Sequence, residues 1–512
     1  MEFSGIPLAD MAGQINPTLP LSHGRSSFPS SLARLSPLLL LLGCVAIAAR
    51  IASCGNPLIQ VDEQFYLLVA RAMVQGQHLY VDIWDRKPIG LFLLYWPAAL
   101  LPAQAAIIAY QAMATAFVIG TALAIRQIAR QAGWTSGATA AAIFYILWLN
   151  VADGQGGQSP VFYNLLMAGA VLAILRTIRA SPGNRQRRNA GLGAMALVGV
   201  AIQIKYNVLF EGMLFGLWLC YEEWRAHRRL KPVIGLGLSL IGIALAPTIA
   251  AGLYYLAIGH FPEFFFANFV SIFHRSGSVP DLGHNAIILT LILAPGIALA
   301  FWPVPRDTSS ASADRQVRTA LFLRLWLIVA VMAVVLFGTY FEHYGLPVML
   351  PAACCSARFL GSYRRIGASF LILLAIGGQF VIYQNDRRFG TGRTLQPIVD
   401  TIGKGSGRLY VYSGPPALYL LTGRPPASPW AFPDHLMRIT EAQAVGVDTA
   451  KEVDRILASR PEWIVTMPLK NGESLPIRAK IYRAVDRDYH AVGDFPLGRR
   501  PLTLFRRNGA NG

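Results

Sequence analysis

Residues 62–88, DEQFYLLVARAMVQGQHLYVDIWDRKP, hold the side chains best suited to chemistry in this chain. Asp62, Glu63, Asp82 and Asp85 are carboxylates, Arg86 and Lys87 are adjacent cations, and Pro88 closes the stretch. A carboxylate held in place can take a proton from a hydroxyl. Fixed cations favour an anion, most of all one whose charge grows as a bond breaks. After Asp62, apolar residues fall at Phe65, Leu68, Val69, Ala72 and Met73, the spacing of an amphipathic helix, and Gly76 suits the position just past its end. At about 1.5 Å per residue this helix is too short to cross a bilayer, so it is expected to lie flat at the interface. Asp62 stands at its predicted N-cap, where capping alone explains an aspartate as well as base chemistry does. Glu63 points elsewhere, because adjacent residues do not share a helix face. Arg86 and Lys87 read either as a charge-balanced loop or as a clamp for an anionic headgroup, at the start of a helix that Pro88 opens.

The elements around this stretch are those of a membrane protein. The 512 residues are 54% hydrophobic and 14% charged, with mean hydropathy +0.44, whereas soluble domains carry about 25% charged residues. Apolar runs predict eleven spans, near 36–54, 104–126, 137–152, 160–178, 190–204, 207–222, 232–258, 285–304, 319–339, 345–361 and 366–383. Segment 89–101 is apolar but short, and reads as a helix lying partly in the membrane. Arg126, Arg130, the cations from Arg176 to Arg188 and from Arg225 to Lys231, Arg306, Arg315, Arg318, Arg364 and Arg365 fill one set of loops. The positive-inside rule puts that set in the cytoplasm. Loops 55–88, 153–159, 205–206, 259–284 and 340–344 then lie outside, with Lys205 at an external turn. Much of the net charge of +18 sits in the basic loops, so it reads as topology, and no nucleic-acid partner is expected.

Three regions follow. Residues 1–35, rich in Ser, Pro and Gly, are expected to be a disordered cytoplasmic tail rather than a cleavable signal peptide. Residues 36–384 form the membrane domain, with the external loop 55–88. From 385 to 512 the composition is that of a small external α/β domain. There RLYVYS (408–413), EWIVTM (462–467) and PLTLF (501–505) alternate like strands, Asn471-Gly472 marks a turn, and Thr449-x-x-Glu452 is a capping box. The five cysteines read as buried thiols, and no internal repeat is visible.

The order of several motifs resembles that of a known family. Asp62-Glu63 before the flat helix, Gly76-x-x-x-Tyr80-x-Asp82, and then Asp85-Arg86-Lys87-Pro88 resemble the first periplasmic loop of GT-C glycosyltransferases. The groups most alike are those related to protein O-mannosyltransferases and the lipid A aminoarabinose transferase, glycosyltransferase family 39 in the broad sense. Phe341-Glu342-His343-Tyr344-x-x-Pro347-x-x-x-Pro351 resembles the His-Tyr…Pro segment of bacterial members. Lys205-Tyr206-Asn207 is a further match, and Tyr412, Pro416, Tyr419 and Arg424-Pro425 fall like a run in their external domains. One stretch departs: many relatives carry Asn/Ser-Thr-Glu in the second external loop, where this chain has GQGGQSPVFYN (154–164), with Asp153 just before it.

The resemblance implies a polytopic helical membrane enzyme that moves one sugar from a polyprenyl-phosphate carrier to an acceptor hydroxyl of lipid A, another cell-envelope glycan or a protein, inverting the anomeric centre. It implies Asp62 as general base, and Lys87 with Arg86, His343, Tyr344 and Lys205 as ligands of the donor phosphate. Glu63, Asp82 and Asp85 are then candidates for sugar or acceptor hydroxyls or for orienting the loop. No cofactor is expected, since cations already face the phosphate, although a divalent metal stays open. The competing class is a transporter or flippase of a lipid-linked or anionic substrate, which would need ionisable residues deep within the spans. Away from their ends the runs are nearly free of these, Glu211 being the main exception.

Overall fold

The computed structural model describes residues 30–179, 185–276, 281–304 and 313–509. Residues 1–29, most of the predicted tail, lie outside that set, and helix already covers Ser30 onward.

Helices begin with α1 (Ser30–Arg50). Helix α2 (Val61–Val74) and the short α3 (Ile89–Ala99) follow. Next come α4 (Ala103–Gln131), α5 (Ala138–Leu149), α6 (Ser159–Arg179), α7 (Arg185–Ile202), α8 (Val208–His227) and α9 (Leu230–Ala257). After the one-turn α10 (Phe261–Phe265) the bundle resumes with α11 (Leu282–Phe301), α12 (Ala313–Phe337), α13 (Leu346–Ser362) and α14 (Arg364–Phe389). A helix therefore stands at each of the eleven predicted places. Among the described residues, seven segments are both long and apolar enough to cross a membrane: those of α4, α5, α6, α9, α11, α12 and α14. Leu230, Ile234, Leu238 and Ile241 along α9 are exposed. Such a face is stable only against lipid, and the chain is a multi-pass membrane protein.

Helix α2 lies where its spacing put it, but it starts earlier. Gln60, extended at φ −151° and ψ 134°, is the N-cap, and its side chain accepts from the Val61 N–H at 2.8 Å. Asp62 is thus not the cap; it sits inside the first turn with its carboxylate free for other partners. Gly76, at φ +87°, ends the helix in the left-handed region that favours glycine. Helix α13 threads the bundle interior. It passes so close to Gly137 that a Cβ there would run into the Ala357 carbonyl.

The C-terminal part carries α15 (Gly392–Ile402), α16 (Ala417–Thr422), α17 (Pro433–Met437), α18 (Thr449–Ala458) and α19 (Leu475–Asp488). They surround a four-stranded sheet of β1 (Leu409–Val411), β2 (Trp463–Thr466), β3 (Tyr489–Leu497) and β4 (Arg500–Arg507), in the order β1-β2-β4-β3. β1 and β2 are parallel and fully buried, β4 runs antiparallel to both neighbours, and β3 carries a bulge between Ala491 and Gly493. The predicted capping box does not form. Asp448 caps α18 by accepting from the Ala450 and Lys451 N–H groups, one residue before Thr449. Glu452 instead pairs with Arg455 and accepts from the Ser428 hydroxyl. This part rests directly on α2: Ala417 N–H donates to Gln64 Oε1 at 3.1 Å, Trp84 N–H to the Pro429 carbonyl at 3.0 Å, and Phe65 packs on Phe432.

Candidate active site

Four separate elements converge on Asp62. It projects from the first turn of α2, one-fifth exposed, with its Oδ1 3.8 Å from Lys87 Nζ and its Oδ2 4.0 Å from His343 Nε2. Lys87 precedes Pro88, which caps α3. His343 lies in the single turn Glu342–Gly345 that leads into α13. Lys205 occupies the turn between α7 and α8, with its Nζ 4.8 Å over the Tyr344 ring. The geometry that holds Lys87 is local. Asp85, fully buried, accepts from the Lys87 N–H at 3.0 Å and from its Nζ at 3.0 Å. The Lys87 ammonium also stands over Tyr66 at 5.1 Å and Phe432 at 6.0 Å. Tyr80, at φ +74°, bends the loop and donates its hydroxyl to the Lys87 carbonyl at 2.9 Å.

The electrostatics follow from this packing. Burial alone would push the Asp62 carboxyl up, but Lys87, His343 and Lys205 together hold it below the usual carboxylate range. Burial would lower the Lys87 ammonium, yet Asp85 and Asp62 raise it above its ordinary value. Lys205 is lowered by burial, against the pull of Tyr344 and Asp62. His343 is pushed down to about 4 by burial, with Lys205 and Lys87 adding to the effect and Asp62 opposing it. At neutral pH the cluster is therefore an ionised carboxylate beside a charged lysine, with a neutral imidazole. The carboxylate can accept a proton from a hydroxyl, and Lys87 can hold an oxyanion.

Other candidate residues point away. Arg86 turns to the C-terminal part, where its Nη1 donates to Glu441 Oε1 at 3.2 Å and its Nη2 closes on Oε2. Arg275 reaches the same carboxylate at 2.8 Å. Asp82, about half exposed, accepts from the His78 N–H at 2.7 Å. Glu63 is fully buried on the opposite side of α2, against Gly156 and Gly157, and burial pushes its carboxyl up to about 8. In the C-terminal run, Tyr412 donates to Glu473, Tyr419 receives the Val411 N–H, and Arg424 ties Glu462 to the Gly403 and Gly407 carbonyls. These residues fasten the sheet.

Gln158 escaped sequence reasoning. It is fully buried beside Asp62, and its side-chain amide helps to hold the Asp62 carboxyl low. A buried amide beside a carboxylate has further donor and acceptor capacity for a hydroxyl-bearing ligand. The signal was its position in the stretch that departs from the family pattern. Asp153, at φ +55°, takes hydrogen bonds from Asn385 at 2.8 Å and from Gln60 at 3.5 Å, so it braces the start of α2. Burial and Glu342 push its carboxyl up to about 6. Among the described residues, no three His, Cys, Asp or Glu side chains stand close enough to share a metal ion.

No family model and no curated protein matches the chain. Solved structures do. ArnT from Cupriavidus metallidurans bound to undecaprenyl phosphate superposes with TM-score 0.58 at 15% identity, covering 92% of this chain and 98% of ArnT. The same protein in the apo state superposes with TM-score 0.54 at 15% identity, covering 93% and 98%. At that identity the likeness is one of fold along nearly the whole of both chains, and the fold is the GT-C fold that the order of the motifs implied.

Proposed function

We propose that this protein transfers a single sugar from a polyprenyl-phosphate carrier to an acceptor hydroxyl, with inversion, at the periplasmic face of a bacterial inner membrane. The observation that carries the reading is the convergence of Asp62 and Lys87, from the two ends of stretch 62–88, with the distant His343, at contacts of 3.8 and 4.0 Å to Asp62. ArnT, which shares the fold, is crystallised with undecaprenyl phosphate. Asp62 takes the proton of the acceptor hydroxyl while that oxygen attacks the anomeric carbon. The carbon–oxygen bond to the carrier phosphate breaks, and its electron pair leaves with the phosphate. Lys87 and Lys205 stabilise that growing charge more than they stabilise the ground state. His343 and Tyr344 add hydrogen bonds to the phosphate or sugar. Gln158 is positioned for a hydroxyl of sugar or acceptor.

The test is transfer by the purified protein in lipid, given a radiolabelled polyprenyl-phosphate sugar and a membrane lipid extract. Asp62→Asn is expected to lose about 10²–10⁴ of the rate, as removal of a general base does. Lys87→Ala is expected to lose about 10² or more while still folded. Undiminished transfer by Asp62→Asn would overturn the base assignment. No transfer from any sugar carrier would overturn the reaction.

A further inference from the structure

A cavity of about 520 Å³ lies at the end of the bundle opposite Asp62, between the end of α6, the start of α7, the end of α8 and the start of α9. Helix α7 runs from it to the Lys205 turn, about 27 Å away for 18 residues. Thr177, Arg185, Arg187, Arg188, Glu223 and Leu236 line the cavity. Three arginines in the first turns of α7 oppose the helix dipole, which favours anions there, and no acid stands in that first turn to relieve them. The start of α9, through the lining residue Pro232, brings a second helix N-terminus to the same place.

The arginines differ in their partners. The Arg187 side chain is nine-tenths buried, and its Nη2 has no hydrogen-bond acceptor. Its ion-pair partner Glu222 lies at 3.8 Å and is already held by Arg318 at 2.9 Å. Arg185 and Arg188 are exposed and make no hydrogen bond or ion pair among the described residues. Glu223, the one carboxylate in the lining, is paired with His227 at 3.1 Å. On α9, which lines the cavity through Pro232, Gly235 and Leu236, the neighbouring residues Ile234 and Leu238 are exposed and apolar. Cations clustered in a pocket between membrane helices, beside a lipid-facing surface, match a phosphate that carries acyl chains.

We propose that this cavity binds the phosphate of an anionic phospholipid of the cytoplasmic leaflet, with Arg185, Arg187 and Arg188 on the phosphate and the acyl chains along α9. The test is native mass spectrometry of the full chain supplied with equal amounts of phosphatidylglycerol and phosphatidylcholine. The wild type is expected to retain phosphatidylglycerol in preference. Arg185→Gln with Arg188→Gln is expected to lower that preference by about tenfold, with unchanged thermal midpoint in detergent. The control is Arg364→Gln with Arg365→Gln, the same charge change at the same membrane face, which is expected to keep the preference. Equal retention of the two lipids by the wild type would overturn the proposal. An equal loss in the control would also overturn it, because the attraction would then belong to the basic rim as a whole. Inorganic phosphate that displaces the lipid and raises the thermal midpoint by itself would give the site to a soluble phosphate and overturn the lipid assignment.

Discussion

His343 and Glu63 sit in environments that depart far from what their types suggest. A histidine beside a phosphate-binding lysine invites the role of a second cation. Burial and the two lysines instead hold His343 at about 4, so it is neutral at physiological pH. A neutral hydrogen-bonding side chain can stand in for it. His343→Gln is accordingly expected to cost less than about tenfold in transfer rate, against about 10² or more for Lys87→Ala. Equal losses in the two variants would mean that the imidazolium form is required. Glu63 makes a second residue-scale prediction. Its carboxyl rises from 4.5 to about 8 on folding, so the folded state keeps a proton that the unfolded chain releases. Its contribution to stability is full below about pH 4.5 and is lost as pH rises toward 8. Asp153, raised to about 6, acts with the same sign over a lower range. Thermal midpoints of the wild type should therefore fall between pH 6 and 8, and Glu63→Gln should keep only the part of that fall near pH 6 that Asp153 supplies. A slope as steep in Glu63→Gln as in the wild type would place the titrating group elsewhere.

At the scale of elements, the position of α2 depends on the loop that departs from the family pattern. Arg50 donates to the Gly154 and Gly156 carbonyls at 2.9 and 2.6 Å, Tyr95 donates to the Gly157 carbonyl at 2.6 Å, and Glu63 lies against the bare Cα of Gly156. A Cβ at Gly156 would overlap the Glu63 carboxylate, so Gly156→Ala must push α2 or the loop aside. The expected cost is about 1–3 kcal/mol of stability, as in overpacked cores, and a lower transfer rate as Asp62 moves off Lys87 and His343. Gly193→Ala, in the interior of α7 with open space around it, is the matched control and should hold or raise the thermal midpoint. Assays of both variants check this, and an unaffected Gly156→Ala enzyme would mean that the loop does not set the position of α2. The sequence read these elements unevenly. Apolar spacing at three to four positions located α2, although every residue from Glu63 to Ala70 is buried rather than one face alone. It missed the cap by two residues, since Gln60 serves through its own side chain rather than through a usual capping type. Strand β3 was invisible because its Gly493, Pro496 and mostly exposed residues carry no alternation of apolar type. Gln158 was passed over because an amide in a glycine-rich loop has no periodicity to mark its burial.

Across the whole molecule, the C-terminal part forms one wall of the site. Phe432 lies under the Lys87 ammonium, and His435 packs on Trp84 and Phe65. The two adjacent cations of the opening motif divide their work accordingly, Lys87 toward Asp62 and Arg86 toward Glu441. No local pattern could announce that division, because Glu441 is 355 residues from Arg86. Nor do the span interiors support a substrate path through the bundle: Glu211, buried within α8, accepts from the Trp326 indole of α12. Such a pairing joins two helices rather than opening a route for ions. Glu441 is 5% exposed and neutralises both Arg86 and Arg275, so its loss strands two guanidinium groups at the seam between membrane bundle and sheet. Breaking a buried pair from one side costs about 3 kcal/mol or more. Glu441→Ala should therefore lower the thermal midpoint and weaken transfer, because the wall that carries Phe432 is no longer held to the Lys87 loop. Glu441→Leu combined with Arg86→Met replaces a charge pair by apolar volume and should regain part of the stability, since such replacement is often neutral or favourable. Recovery of transfer in that double variant would mean that Arg86 serves the seam. A folded, stable double variant that stays inactive would return Arg86 to the donor phosphate.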